Sequence, residues 1–138
     1  MSRISILPLL GLLALGACDT NTGNTTLGTL GVPEGQPLAA AQIRALVQGG
    51  PYDVRIYDGE FAGTVGRSTW DFEAMRLTGS YRTADGETGS YDMPVSIEGN
   101  QLCAGEDDWK QCHLVYPYEG GFMEVTPSGG LHATSVPL

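Results

Sequence analysis

Beyond Pro51 the hydrophobic periodicity of the chain changes from the helical to the extended kind, and this change most restricts its possible folds. Apolar residues recur there at a period of two. The clearest runs are 52–57, 70–75, 91–97 and 112–118, with a further run around Phe61 and Val65. A period of two is typical of β-strands whose two faces meet different surroundings. The sequence therefore predicts a mainly β protein.

Turn dipeptides separate these runs at short intervals. They are Asp58-Gly59, Asp85-Gly86, Gly99-Asn100, Gly120-Gly121 and Gly129-Gly130. Short connections force neighbouring strands to be antiparallel. We predict a meander of seven or eight strands forming a small barrel or sandwich, because closure removes exposed sheet edges. Pro94, inside one run, favours an edge strand or a bulge there.

One helix is predicted before the strands, over Pro37–Gln48. Ala39, Ile43, Leu46 and Val47 form a single apolar stripe at helical spacing. Glycines 49 and 50 followed by Pro51 are typical of a helix end. We expect this helix to pack on the β domain or to plug it.

The N-terminus has the form of an export signal. Arg3 precedes an apolar run over residues 4–15, which is too short to cross a bilayer. The run ends in Leu15-Gly16-Ala17-Cys18, which resembles the lipobox of bacterial lipoproteins. The resemblance implies cleavage after residue 17, acyl chains such as palmitate on Cys18, and a periplasm-facing protein of the cell envelope. Asp19 resembles the signal for retention in the inner membrane.

These assignments divide the chain into three parts. Residues 1–17 are the predicted signal peptide, residues 18–36 a lipidated flexible tether rich in Thr, Gly and Asn, and residues 37–138 the β domain. The net charge of −9 argues against nucleic acid as a partner. The same charge repels anionic headgroups, so we expect the acyl chains alone to hold the protein to a membrane.

Two cysteines remain once Cys18 is lipidated. Cys103 and Cys112 are predicted to form a disulfide, because the eight residues between them can turn and an exported protein keeps its disulfides. A redox pair or a zinc site would need a different spacing or more ligands.

The loop between these cysteines is the predicted interaction site. Glu106, Asp107, Asp108 and Trp109 crowd into a segment fastened at both ends, a composition suited to recognition. Two positions of Trp109 stay open: an exposed contact residue, or a ring folded inward as a cap of the core. The three acids lack the ligand alternation of a calcium loop.

No catalytic signature is present in the sequence. It has no Gly-x-Ser-x-Gly, P-loop, dinucleotide-binding or His-Glu-x-x-His motif. Of the two histidines, His113 alternates away from the apolar row 112–118, so we expect it to be exposed. We predict a protein that is not an enzyme, with no catalytic residues, cofactor or bound metal.

A short repeat accompanies the turn at Asp85-Gly86. Thr78-Gly79-Ser80-Tyr81 recurs as Thr88-Gly89-Ser90-Tyr91. We interpret the two copies as arms of one hairpin, with Tyr81 opposite either Ser90 or Tyr91 according to the loop length.

Two classes of function fit these features. The first is a non-enzymatic module that binds an envelope protein as an accessory subunit or inhibitor; its architecture resembles the envelope inhibitors of lysozymes and proteases. The second is a lipocalin-like carrier of a small ligand, with Trp70, Phe72 and the tyrosines lining a cavity. The short domain leaves little room for a cavity, so the sequence favours the first class.

Lipidation at Cys18 has a direct test. We expect Cys18→Ser to release the protein from the membrane fraction or to leave its precursor uncut, because the acyl chains have no other attachment point. Fractionation and gel mobility of the two proteins decide it. A variant that behaves like the wild type in both would refute the anchor.

Overall fold

The structure is a computed structural model that describes residues 35–138. The predicted signal peptide, Cys18, Asp19 and nearly all of the tether lie outside the described residues. One helix, α1 (Ala40–Val47), precedes eight strands. They are β1 (Gly49–Ile56), β2 (Val65–Asp71), β3 (Arg76–Arg82), β4 (Thr88–Glu98), β5 (Gln101–Ala104), β6 (Gln111–Tyr118), β7 (Gly121–Val125) and β8 (Leu131–Pro137).

The strands form a closed antiparallel barrel. Each pairs with the next along the chain, and β8 returns to pair with β1, from Tyr52 opposite Pro137 to Ile56 opposite Ala133. The predicted mainly β meander is confirmed, and of the two predicted architectures the barrel is the one that forms. Closure leaves the meander without a free first or last strand.

Helix α1 closes one end of this barrel, as an interior plug. Ile43 and Val47 are fully buried in a core cluster with residues from β1 to β7. The hydroxyl of Tyr52 donates to the carbonyls of Leu46 and Val47 at 3.1 and 3.2 Å, so β1 binds the C-terminal carbonyls of the helix.

The helix begins later than the sequence indicates, at Ala40 rather than Pro37. The backbone N–H of Leu38 instead donates to the carbonyl of Val115, at 2.8 Å. Because β5 is short, that part of β6 has a free edge which the chain before α1 takes up. Within the described residues, no helix is long and apolar enough to cross a bilayer.

The connections differ between the two ends of the barrel. Residues 72–75, 99–100 and 119–120 connect strands at the end that α1 fills, here called the closed end. Longer connections, here called the mouth loops, lie at the opposite end, the mouth. They comprise residues 57–64, 83–87, 105–110 and 126–130.

Pro94 marks a change of partner along β4. The residues of β4 up to Pro94 pair with β3, whereas Val95–Glu98 pair with β5. The carbonyl of Pro94 accepts from Gly105, the last contact on the β5 side. Proline is tolerated here because the missing N–H would face the side where pairing stops.

The sequence-based prediction is wrong about which face or element several apolar residues belong to. The row of alternate residues from Cys112 to Tyr118 faces outward, and it is His113 and Val115 that face the interior. The outward row is shielded because it packs with Met123, Val125 and Leu131 in a second apolar cluster. Phe61 lies in a mouth loop and Phe72 in the turn after β2, so neither belongs to a strand.

Both registers expected for the repeat are wrong, because the loop between its copies is longer than anticipated. Tyr81 lies opposite Gly89 and Tyr91 opposite Gly79. A Cβ at either glycine would lie about 2.5 Å from the opposing tyrosine oxygen. The glycines therefore leave the space that two inward tyrosine rings occupy, one covering each glycine.

The predicted disulfide between Cys103 and Cys112 is confirmed. The two residues are direct cross-strand partners of β5 and β6, with Cα atoms 4.0 Å apart. Both side chains lie on the outer wall. Lys110 and Glu98 form an ion pair of 2.9 Å near the disulfide.

We expect removal of the disulfide by the double change Cys103→Ala and Cys112→Ala to lower the free energy of unfolding by about 2–3 kcal/mol, since the unfolded chain regains the freedom of a closed loop. Urea denaturation of the double variant and of the reduced wild type measures the loss. Equal stability of oxidised wild type and variant would contradict a stabilising role.

Candidate functional site

The barrel contains a cavity of about 440 Å³ that opens toward the mouth. Its wall includes inward residues of all eight strands together with parts of two mouth loops. The side chains that line it include Ile56, Glu60, Phe61, Ser68, Trp70, Leu77, Tyr91, Met93, Ala104, Trp109, His113, Glu124, His132 and Ser135. The sequence-based expectation that the domain has little room for a cavity is therefore wrong.

The cavity is apolar toward the closed end. Trp70 packs edge-on against Phe122, with ring centroids 6.0 Å apart, and Leu77 and Met93 face each other across β3 and β4. Trp70 Nε1 is buried without a hydrogen-bond partner among the described residues. This part of the wall offers mainly hydrocarbon and aromatic surface to a bound molecule.

Two histidines stack on one another at the cavity wall. The rings of His113 and His132 have centroids 4.0 Å apart and planes 12° apart. His113 comes from β6, where it is only 7% exposed, and the expectation of an exposed His113 is wrong. His132 lies at a β-bulge in β8, because Glu124 pairs with Ala133 while Val125 pairs with Leu131. The extra residue re-aims a side chain, as bulges often do.

Each histidine has its own carboxylate neighbour. Asp58 Oδ1 lies 2.5 Å from Nδ1 of His132, and Glu124 Oε1 lies 3.5 Å from Nδ1 of His113. The structure therefore brings together both histidines of the chain and two acids from four separate segments. Such a cluster can accept or donate hydrogen bonds.

Sequence reasoning missed this cluster. The alternation of β6 contained a signal for His113, since His113 shares a face with Val115. The other face, from Cys112 to Tyr118, was assigned to the interior because it is more apolar. The bulge at His132 and the distant Asp58 have no local signal, because they meet only when β8 pairs with β1.

A tyrosine hydroxyl network forms another polar part of the wall. Tyr91 donates to the carbonyl of Arg67 at 3.0 Å and makes a short hydrogen bond with the Ser68 hydroxyl. Burial raises the pKa of Tyr91, the Ser68 hydrogen bond partly offsets it, and the charge of Glu124 raises it further. Tyr91 therefore stays a neutral hydrogen-bonding group at neutral pH.

The predicted interaction loop lies at the mouth. Glu106, Asp107 and Asp108 are exposed, and the N–H of Trp109 donates to the carbonyl of Glu106 at 2.9 Å. Trp109 is 52% exposed and its ring lies against Gly105. Of the two positions left open by the sequence, the structure has the exposed one, at the edge of the cavity.

A broader groove of about 770 Å³ lies along β1–β3. Outward-facing Arg55, Arg67 and Arg82 contribute to its lining, and Arg67 pairs with Asp53 at 3.7 Å. These arginine side chains are exposed, whereas the interior cavity is lined by the buried titratable side chains of His113 and Glu124. The interior cavity is therefore the stronger candidate for a binding site.

Potential metal ligands come together in one place within the described residues. Within residues 35–138, three such side chains lie close to one another only at Glu98, Cys103 and Cys112. The two sulfurs are joined in the disulfide, so they offer no thiolate to a metal ion.

Comparison with models of protein families, with curated proteins and with solved structures finds no match to this chain.

The positions of the two tryptophans predict different costs of truncation. We expect Trp109→Ala to change the free energy of unfolding by less than about 1 kcal/mol, because half of the ring is in water. Trp70→Ala, its matched control, should cost about 3–5 kcal/mol because its ring is buried. Thermal and urea denaturation compare them, and a large loss for Trp109→Ala would place that ring in the core.

Proposed function

We propose that this protein binds a small molecule with an apolar body and a polar group inside its barrel. The observation that carries the proposal is the cavity of about 440 Å³, closed by α1 at one end and open at the mouth. Small-molecule sites of proteins commonly have volumes of about 300–1,000 Å³. An eight-stranded barrel is wide enough either to fill with side chains or to hold one such ligand.

The chemistry of the wall supports a ligand with two different ends. Trp70, Leu77 and Met93 would surround the apolar body. The polar group would reach the histidine and carboxylate cluster or the hydroxyl of Tyr91. Few, well-placed polar groups in an apolar pocket are what fixes the orientation of a bound molecule.

Binding is also a better fit than covalent catalysis. In the described part of the chain, the polar side-chain partners of the two imidazoles are carboxylates, and no Ser or Thr hydroxyl hydrogen-bonds to either ring. A nucleophile activated by a histidine needs that hydrogen bond. The cluster therefore supports recognition of a ligand.

The place of action is proposed from the sequence. Leu15-Gly16-Ala17-Cys18 supports a lipid-anchored envelope protein facing the periplasm, with Asp19 favouring the inner membrane. In that setting the barrel would be a carrier or sensor of a small molecule of the envelope.

A protein-binding module is the second candidate, and one observation favours it. Trp109 and Phe61 are 52% and 59% exposed on two mouth loops that both border the cavity. Exposed aromatic residues next to the acids of residues 106–108 have the composition of a binding hot spot. A partner that covered the mouth would contact both rings.

The proposed cavity site can be tested with N-phenylnaphthylamine, a neutral apolar dye that fluoresces when it leaves water. We expect the wild type to bind it in a one-to-one complex and Ala104→Trp to bind it at least about tenfold more weakly. The reason is that a large ring at the half-buried Ala104 occupies the cavity.

Ala74→Trp is the matched control, because Ala74 is exposed in the turn at the closed end. It should bind the dye like the wild type. Absence of binding to the wild type, or equal binding by all three proteins, would refute the cavity site. A protein partner gives the opposite pattern: its capture should fail with Trp109→Ala and survive Ala104→Trp.

A further inference from the structure

The charges of the four mouth loops are almost all negative, whereas Arg55, Arg67 and Arg82 lie on the outer wall of β1–β3. The acidic residues of the four mouth loops are Asp58, Glu60, Asp85, Glu87, Glu106, Asp107 and Asp108. Their one Lys or Arg residue is Lys110, which pairs with Glu98 at 2.9 Å. A cleft lined by one sign of charge raises the local concentration of the opposite ion and repels its own. The entrance therefore favours a cation over an anion.

A buried acid continues this preference inside the cavity. Glu124 is only 8% exposed, faces inward from β7 and lines the cavity wall. Its nearest basic neighbour is His113, at 3.5 Å, which is longer than a good charge-assisted hydrogen bond. A buried carboxylate with one distant partner gains most from a further donor that carries positive charge.

Aromatic rings line the cavity between the mouth and Glu124. Phe61 and Trp109 stand at the entrance, and Trp70 and Tyr91 line the interior. Aromatic faces attract cations while also covering hydrocarbon, and the attraction grows as water is removed. An anionic or purely polar ligand would gain little from this wall.

We propose that the ligand of the cavity is an organic cation, a protonated amine on an apolar body, whose ammonium group binds Glu124. This inference rests on the proposed function, since it names the class of molecule that the cavity takes. The ammonium donates to the Glu124 carboxylate, and the apolar body lies against Trp70, Leu77 and Met93.

The test compares three probes of nearly the same shape: phenylbutylamine, phenylbutanol and phenylbutyrate. Titration calorimetry at about pH 8 gives their affinities. We expect the amine to bind at least about tenfold more tightly than the alcohol, with the carboxylate weakest. The preference for the amine should fall with added salt, because the mouth charges become screened.

Glu124→Gln keeps the size of the side chain and removes its charge. We expect it to reduce the affinity for the amine by about tenfold and to leave that for the alcohol within about twofold. Glu73→Gln, an exposed change at the closed end, should match the wild type. If Glu124→Gln does not fold, exposed Glu60→Gln at the mouth should lower amine affinity alone, by a smaller factor.

The outcomes separate the two proposals. If the alcohol or the carboxylate binds as tightly as the amine, or if none of the three binds while the neutral dye does, the cation is refuted and the cavity site stands. If neither the dye nor any of the three probes binds the wild type, the proposed function itself fails.

Discussion

The pairing of β8 with β1 is the contact on which the rest of the structure depends. It turns a meander into a closed barrel, so that the inward residues of all eight strands face one interior. The pairing continues one residue beyond the end of β1, since the N–H of Tyr57 donates to the carbonyl of His132 in β8 at 2.8 Å. That bond holds the start of the first mouth loop beside β8, and Asp58 therefore meets His132. Without closure, neither the cavity nor the histidine cluster would exist.

The interior combines two kinds of wall that have opposite energetic effects. Toward α1, buried Ile43, Val47 and Phe122 stabilise the fold by removing apolar surface from water. Toward the mouth, His113 and Glu124 occupy inward positions that apolar residues would stabilise more. Such exchanges are expected where a binding site replaces part of a core. The apolar packing that holds the protein together is thus concentrated at one end, and the proposed binding site lies toward the other.

The parts of the fold that were predictable from the sequence are those with a local signal. The period of two in 52–57 and 91–97 predicted β1 and β4 with the correct inward faces, and the stripe with Ile43 predicted α1. The spacing of Cys103 and Cys112 predicted their bond, because few residues separate them.

The remaining features depend on contacts between distant segments. The inward face of β6 was misassigned because its outer row, rich in Leu and Tyr, packs with apolar residues of β7 and β8. The sequence of β6 alone does not indicate this packing. The register of the repeat depended on the length of the loop 83–87. The cavity was not predicted, because chain length limits the volume of a cavity only on average. In this barrel Gly79 and Gly89 determine how the tyrosine rings fill the interior. The loop Glu106–Trp109 was predictable in place, but its position beside a cavity was not.

The unequal lengths of the connections have a consequence for how such a protein can change. The turns at the closed end are short and adjoin the helix and the apolar core, so insertions there would disturb the barrel. The mouth loops are longer, join strands that are already paired, and border the cavity. They can accept substitutions and added residues with little effect on pairing. If the proposed cavity site is correct, new ligand preferences can arise by exchange of four independent segments on an unchanged frame, in evolution or in a designed library.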